Sequence, residues 1–507
     1  MRREAFFFTQ NMPEKDQSKK NRRCDLARRL DPKGKYDPGQ VEKVLSMYPD
    51  PDNSEMSLTG FVHVLERAAI NGRKLTTNDQ LLLDGLNSVL DDISTARLFN
   101  ATYIGHMLTE ASVPGLVGFI MALKTGSNTV SREVSIAESN LEPEAIKGLA
   151  SIIGYDPEKA DGTFTSGGSM AMQTALMAAR RKAVAEGKTP TSDHPLLVLG
   201  SSYTHYSVRK MCDIVGGPTG LVSKRDVASK DFKMDPDDLR KQLEAAKQNG
   251  DPVMAVISIA GETETGKIDN SKEIIDVADD FGVPVIVDGA YGAPMCLSRN
   301  RRLFVGMERS FATTIDGHKA LGTPYSNGAV IFRSGEDKYL GYGDRAEYLG
   351  DDANLGQKRI EGSMGAGPIL STVAVLRTLG TDGLATLYNL NLDRTEHLWE
   401  VVEKSPVLTN LYYPELNLLC FGISPEVVAR LGITSGKQLK DFIDKTRKEL
   451  DNGIQGNGGH FFSAAELPLE DGTILPVFRA CIMNPRTTDE TIDEAICGLE
   501  RIINSRI

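Results

Sequence analysis

Val283-Pro284-Val285-Ile286-Val287-Asp288-Gly289-Ala290-Tyr291-Gly292 is the stretch that decides the fold class. Its apolar residues run on without alternation, so a strand built from them needs cover on both faces, as in a parallel sheet flanked by helices. The run stops at a carboxylate and a glycine turn. The same unit recurs outward from it. Residues 271–281 read as a helix, and residues 253–260 as an apolar strand before that helix. Further upstream, residues 195–200 read as a strand, and residues 169–185 and 207–215 as helices. Downstream, residues 328–333 read as another strand. Short apolar runs alternating with helices predict an α/β fold with a mostly parallel central sheet.

The remainder of the chain fits around that unit. At 507 residues it is too long for one ordinary domain, and 40% hydrophobic with 25% charged residues suits a globular enzyme with a large core. The division expected is an N-terminal segment over residues 1–125, a large α/β domain over 126–385 and a smaller α+β domain over 386–507. The N-terminal segment opens with a polar arm, basic between Lys15 and Arg29, and continues with helical spacing over residues 58–89. A helix capped by Asn140, with Pro143 in its first turn, is expected to follow. In the C-terminal part, residues 416–421 and 476–482 read as strands. Thr487 and Glu490 form a candidate capping box for a helix carrying Ile492, Ile496, Leu499 and Ile503 on one face. A net charge of −11 argues against a nucleic-acid partner, which needs a basic face. Six scattered cysteines without a CxxC pair point to reduced thiols in the cytoplasm, and no metal site is expected. No apolar run is long enough to span a bilayer.

Five loops at predicted strand ends carry the chemistry. Thr165-Ser166-Gly167-Gly168-Ser169 precedes a helix, where glycines and the helix N-terminus suit an anion; no Lys-Ser/Thr follows, so it is not a Walker A loop. Ser201-Ser202-Tyr203-Thr204-His205-Tyr206-Ser207 places an imidazole at the carboxyl edge of the sheet. Gly261-Glu262-Thr263-Glu264-Thr265-Gly266 brings hydroxyls. Asp288 ends a buried strand and needs a cationic partner there. Thr314-Ile315-Asp316-Gly317-His318-Lys319 brings an amine. Taken singly, these have plainer readings as a glycine turn, a surface histidine, a turn-capping aspartate and a commonplace His-Lys pair. Together, and in this order, they suit pyridoxal phosphate. The Lys319 amine would hold the cofactor aldehyde as a Schiff base, and Asp288 would keep the pyridine nitrogen protonated.

On these motifs, together with Glu361-Gly362-Ser363 and Asn484-Pro485-Arg486-Thr487-Thr488, residues 95–505 resemble the group II pyridoxal-phosphate-dependent amino-acid decarboxylases, of the aspartate aminotransferase-like fold type I. The resemblance implies that His205 stacks on the cofactor ring and that Ala290 packs on its other face. It implies that Gly167, Gly168, Ser169 and His318 hold the phosphate, with Asp316 among the cofactor-binding residues and Thr263 near the ring oxygen. Gly362 and Ser363 would reach the phosphate of a neighbouring subunit, which implies a homodimer with shared sites. Tyr348, with Tyr342 in reserve, matches the mobile tyrosine that protonates Cα. Two departures stand out: Met170 where many relatives carry a polar residue, and Met364 where many carry Arg or Lys.

Asn100 and His106 are the candidate substrate-binding residues. The segment around Lys319 looks most like glutamate and aspartate decarboxylases, which favours an acidic L-amino acid. Pro324-Tyr325-Ser326-Asn327-Gly328 looks more like tyrosine decarboxylases, which keeps an aromatic substrate as the alternative. A fold type I carbon–carbon lyase, such as a sphingosine-phosphate lyase relative, and a non-catalytic dimeric scaffold are the other readings.

Overall fold

A computed structural model describes residue 31 and residues 35–48, 99–218, 220–339, 359–451, 459–469 and 472–507. The basic arm, the helical spacing over residues 58–89, Tyr342 and Tyr348 lie outside the described residues. The helices that frame the site are α1 (Pro38–Ser46), α2 (Val113–Thr125), α3 (Ile136–Ile153), α4 (Gly168–Ala185), α5 (Ser207–Gly216), α6 (Pro236–Asn249), α7 (Ser271–Asp279), α8 (Gly367–Lys404), α9 (Gly436–Asp451) and α10 (Asp489–Asn504). The strands are β1 (Asp161–Thr165), β2 (Leu196–Ser201), β3 (Val222–Val227), β4 (Ser229–Lys230), β5 (Lys233–Met234), β6 (Val253–Ile259), β7 (Val285–Asp288), β8 (Ala312–Asp316), β9 (Gly328–Phe332), β10 (Leu408–Asn410), β11 (Leu418–Ile423), β12 (Ser463–Pro468) and β13 (Ile474–Cys481).

Among the described residues, seven strands make the central sheet in the order β1-β9-β8-β7-β6-β2-β3. β2, β3, β6, β7 and β8 pair in parallel, whereas β9 runs against both β8 and β1. One strand is therefore reversed in an otherwise parallel sheet. The carboxyl ends of β1, β2, β6, β7 and β8 all open on one edge, where ligand sites of such sheets form. β6 is buried along its whole length, as its unbroken apolar run requires. One cluster of the core packs α4 and α5 on the sheet through Ala171, Leu176, Val208 and Met211. Another packs α6 and α7 through Leu239, Leu243, Ile274 and Ile275. β10, β11, β13 and β12 form a separate four-stranded antiparallel sheet with its own core, including Phe421, Phe478, Ile492 and Leu499.

Two local expectations are corrected. α3 begins at Ile136 after Ser135, so Pro143 lies inside the helix and Asn140 caps nothing. The buried face already includes Glu138, Ser139 and Glu142, and that packing outweighs the ordinary cost of an interior proline. The box that opens α10 is formed by Thr488 and Thr491, one residue later than expected. Thr487 is buried and donates its hydroxyl to the Ala101 carbonyl (2.8 Å), which leaves Thr488 to cap. The expected change of character near residue 385 falls within α8, which has a non-helical Gly380 (φ 65°).

Candidate active site

The five predicted loops converge on one cavity of about 460 Å³. Gly167, Gly168, Ser169, His205, Thr263, Asp288, Ala290, Asp316, His318 and Lys319 all line it. Gly167 and Lys319, 152 positions apart in sequence, meet there because each follows a strand that ends on the same edge.

The anion cradle follows from backbone geometry. Gly167 has φ 152°, and the helix α4 that starts at Gly168 carries no side-chain cap. Its first N–H groups and dipole are left for an anion. A Cβ on Gly168 would stand 3.0 Å from Ala290 Cβ and 3.0 Å from Asp316 Oδ2. Only glycine lets the chain come this close.

Above the cradle, His205 Nδ1 accepts from the Ser207 N–H (3.3 Å) and lies 2.7 Å from Ser207 Oγ. That acceptor role puts the proton of the neutral ring on Nε2. Burial pushes the His205 pKa below its ordinary range, against the pull of Asp288. A neutral imidazole stacks on a cationic pyridine ring without the repulsion an imidazolium would bring. Asp288, at the end of β7, is oriented by the Thr314 hydroxyl (3.2 Å to Oδ1) and the Ala290 N–H (3.4 Å).

On the β8–β9 connection, Lys319 Nζ lies 3.1 Å from Asp316 Oδ2, and His318 Nε2 lies 3.5 Å from the same oxygen. Burial also lowers the His318 pKa, so its ring stays neutral. Its Nδ1 accepts from the Asn327 N–H (3.1 Å), and the Tyr325 ring stacks on it at 3.8 Å. Asp316 Oδ1 is buried with no hydrogen-bond partner, a polar atom left over for a ligand.

Other predicted residues lie elsewhere. Asn100 Oδ1 accepts from the Thr102 N–H and hydroxyl in a local turn, and neither Asn100 nor His106 lines the cavity. His106 packs 5.6 Å from the Phe461 ring, while the next residue, Met107, does line the cavity. Ser363 lines a second cavity of about 590 Å³ with Met364, Ser326 and Ser166, the last shared with the first cavity. Several residues escaped the sequence reading. Ser207 and Thr314 orient His205 and Asp288; both stood in the quoted motifs, one at i+2 and one a strand away. Glu361 Oε1 accepts from the Ser166 N–H (2.9 Å), tying the Gly362–Ser363 loop to the cradle. Buried Arg479 donates to the carbonyls of Thr263 (2.6 and 3.0 Å) and Gly105 (3.1 Å), joining the cofactor side to the Met107 segment.

A lysine amine, an uncapped helix start, a strand-end acid and a histidine around one cavity are groups that could hold pyridoxal phosphate. The orphaned Asp316 oxygen and the Gly168 approach fit that cofactor. Comparison with known proteins makes the class more specific. Residues 80–424 match the pyridoxal-dependent decarboxylase conserved domain, and the chain belongs to that family. It is a carboxy-lyase with pyridoxal phosphate as its cofactor. It is 27% identical over 444 residues to an aspartate 1-decarboxylase of Aliivibrio fischeri, covering 80% of each chain. It is 29% identical over 423 residues to an L-2,4-diaminobutyrate decarboxylase of Rhizobium meliloti, again with 80% of each covered. The crystal structure of mouse CSAD in apo form superposes with a TM-score of 0.74 at 20% identity, covering 97% of this chain and 99% of that one, and shows the shared fold.

Proposed function

We propose that the protein removes the α-carboxylate of an L-amino acid as CO₂ and releases the amine, with an acidic substrate, glutamate or aspartate, preferred. The observation that carries this reading is the convergence of Lys319, Asp288, His205 and the Gly167–Gly168–Ser169 cradle on one cavity. Bound pyridoxal phosphate supplies the electron sink for the bond that breaks. Lys319 offers the amine for its aldehyde, and Asp288, fixed by Thr314, keeps its ring nitrogen protonated. The α4 N-terminus holds its phosphate, and His205 and Ala290 enclose the ring. Thr263 is assigned to the ring oxygen. Tyr348, with Tyr342 in reserve, is the proposed donor of the proton to Cα.

Lys210 and Gln173 in the cavity wall support an acidic side chain, as does the similarity to an aspartate 1-decarboxylase. The diaminobutyrate enzyme at similar identity shows that this scaffold serves other side chains in other proteins. Gly362, Ser363 and a second subunit remain part of the reading. The exposed apolar residues Val117, Met121, Leu123, Val134 and Ile136 support a homodimer. The division at residues 125 and 385 is kept. A cytoplasmic location is supported by the free state of Cys212, Cys296, Cys420, Cys481 and Cys497.

The test is incubation with the pooled natural amino acids, with amines and aldehydes identified by mass spectrometry. A single amine, made by the wild type and not by Lys319→Ala, is the expected result. Amine from Lys319→Ala would overturn the assignment of the lysine. An aldehyde in place of CO₂ would identify a carbon–carbon lyase. An aromatic amine alone would refute the acidic preference.

A further inference from the structure

The loop between β2 and α5 carries His205, and its braces come from distant parts of the chain. On one side the Ser201 carbonyl accepts three bonds: from the Thr204 N–H (3.1 Å), the Thr204 hydroxyl (2.8 Å) and Lys224 Nζ (2.8 Å). On the other side stands Tyr203, which lines the cavity itself. Its hydroxyl donates to the Pro468 carbonyl at the end of β12 (2.7 Å), in the C-terminal sheet. Its ring meets the Phe232 ring edge-on at 5.8 Å, and Phe232 in turn meets Tyr412 at 5.5 Å.

Phe232 occupies an unusual backbone position. β4 and β5 pair as a two-residue hairpin, with Lys230 opposite Lys233. The two central residues, Asp231 (φ 52°) and Phe232 (φ 64°), are both left-handed. Such a turn calls for Asn-Gly or Asp-Gly, because a Cβ is strained at positive φ. Here an aromatic residue sits where glycine would relax the turn. Strain of this kind persists where the surroundings hold it in place, and the contacts on Phe232 are the rings of Tyr203 and Tyr412 and the main core.

Resting on the cofactor assignment above, we propose that Tyr203 is a positioning residue. Phe232 braces its ring and Pro468 its hydroxyl, and through it the strained hairpin and the C-terminal sheet together fix the loop that holds His205 over the cofactor. Tyr203 acts through His205, two residues on, and not on the reacting atoms.

The test uses the full-length holoenzyme and four proteins: wild type, Tyr203→Phe, Tyr203→Ala and the double variant Asp231→Asn/Phe232→Gly. The readouts are the visible circular dichroism of the bound cofactor, cofactor affinity by titration, kcat and KM separately, and thermal midpoint. Tyr203→Ala is expected to diminish the visible dichroism and lower kcat by roughly 10–100-fold, as for a small misplacement of a catalytic group, with KM little changed. Tyr203→Phe keeps the ring contact with Phe232 but loses the bond to Pro468, so its signal and kcat should fall between those of wild type and Tyr203→Ala. The double variant trades the lost Phe232 packing against a relaxed turn, so its thermal midpoint should stay close to that of wild type while dichroism and kcat fall in the same direction. That combination separates positioning from general destabilisation. If Tyr203→Ala and the double variant leave the dichroism unchanged, the proposal fails. It fails equally if Tyr203→Ala raises KM alone, since Tyr203 would then be a wall of the substrate pocket. Should wild type yield no amine from any amino acid, the decarboxylase reading falls, and the dichroism still decides the role of Tyr203.

Discussion

Replacing Arg359 by Met should destabilise the protein more than any surface substitution, and replacing Glu142 by Gln in the same chain should restore part of the loss. The Arg359 side chain is 0% exposed and that of Glu142 3%. The guanidinium pairs with Glu142 Oε2 and donates to Thr129 Oγ1 (2.6 Å) and Thr163 Oγ1 (2.9 Å). Glu142 Oε1 accepts from the Phe164 N–H (3.3 Å). Removing the cation leaves a buried, uncompensated carboxylate, which costs about 3–5 kcal/mol. Gln at 142 keeps the acceptor for Phe164 and carries no charge, so the double variant should be more stable than Arg359→Met by about 2 kcal/mol. Lys at 359 brings the charge without the planar fork that reaches three partners, and should fall between. The pair is also linked to the cradle. Thr163 and Phe164 lead along β1 to Ser166, and Glu361, two residues after Arg359, holds the Ser166 N–H. Arg359→Met should therefore weaken pyridoxal phosphate binding as well. Chemical denaturation of the cofactor-free proteins measures the first effect, because bound ligand would add its own stabilisation. Cofactor titration measures the second. A loss below 1 kcal/mol for Arg359→Met, or no recovery in the double variant, would refute this account.

Gly168→Ala sets a Cβ 3.0 Å from Ala290 Cβ, and the strain of about 1–3 kcal/mol should appear as roughly a 5–150-fold weaker cofactor affinity in a titration. Gly328→Ala should act in the same direction, since its Cβ would meet Gly167 Cα at 2.5 Å. Thr314→Val removes the hydroxyl on Asp288 and should lower kcat about fivefold, the worth of one ordinary hydrogen bond, with little change in thermal midpoint. Asp269 is fully buried; burial raises its pKa from 3.8 to about 6, although the Met234 and Ile259 N–H groups pull it down. Its folded pKa exceeds the unfolded one, so its contribution to stability is present below pH 3.8 and lost as pH rises through about 6. Asp269→Asn should flatten that part of the stability-versus-pH curve in denaturation experiments, while costing about 1–3 kcal/mol because an amide cannot accept from both N–H groups.

Much of the site was readable because its residues sit at boundaries the sequence marks. Asp288 follows an apolar run and Gly167–Gly168 precedes a helical pattern, while the order of the motifs and the resemblance to the decarboxylases grouped them with the Asp316–Lys319 segment. What holds those residues was not readable, because each contact joins segments that share no local signal. Arg359 meets Glu142 across 217 positions, Ser166 meets Glu361 across 195, and Tyr203 meets Pro468 across 265. The start of α3 was misplaced because Glu138, Ser139 and Glu142 look like a solvent face in sequence and are buried in the fold. Thr487 and Thr488 are equivalent as capping residues until the Ala101 carbonyl claims the first.

The direction of β9 is an intermediate case, and it explains why the lysine lies where it does. A buried strand reads the same in either direction, so the apolar run over residues 328–333 left its sense open. The connection from β8 is residues 317–327, too short for a helical crossover and long enough for a return. The strand therefore pairs antiparallel, with Asp316 opposite Gly328 on one side and Thr165 opposite the same glycine on the other. A parallel β9 would have carried the chain from Lys319 away to the far edge of the sheet. The return keeps His318 and Lys319 at the carboxyl edge and brings Asn327 back to bond the His318 ring. It also sets Gly328 against Gly167, so that the strand following the lysine loop and the loop bearing the anion cradle meet at two glycines where no side chain can stand. The reversed strand is thus the element that binds the two halves of the cofactor site together.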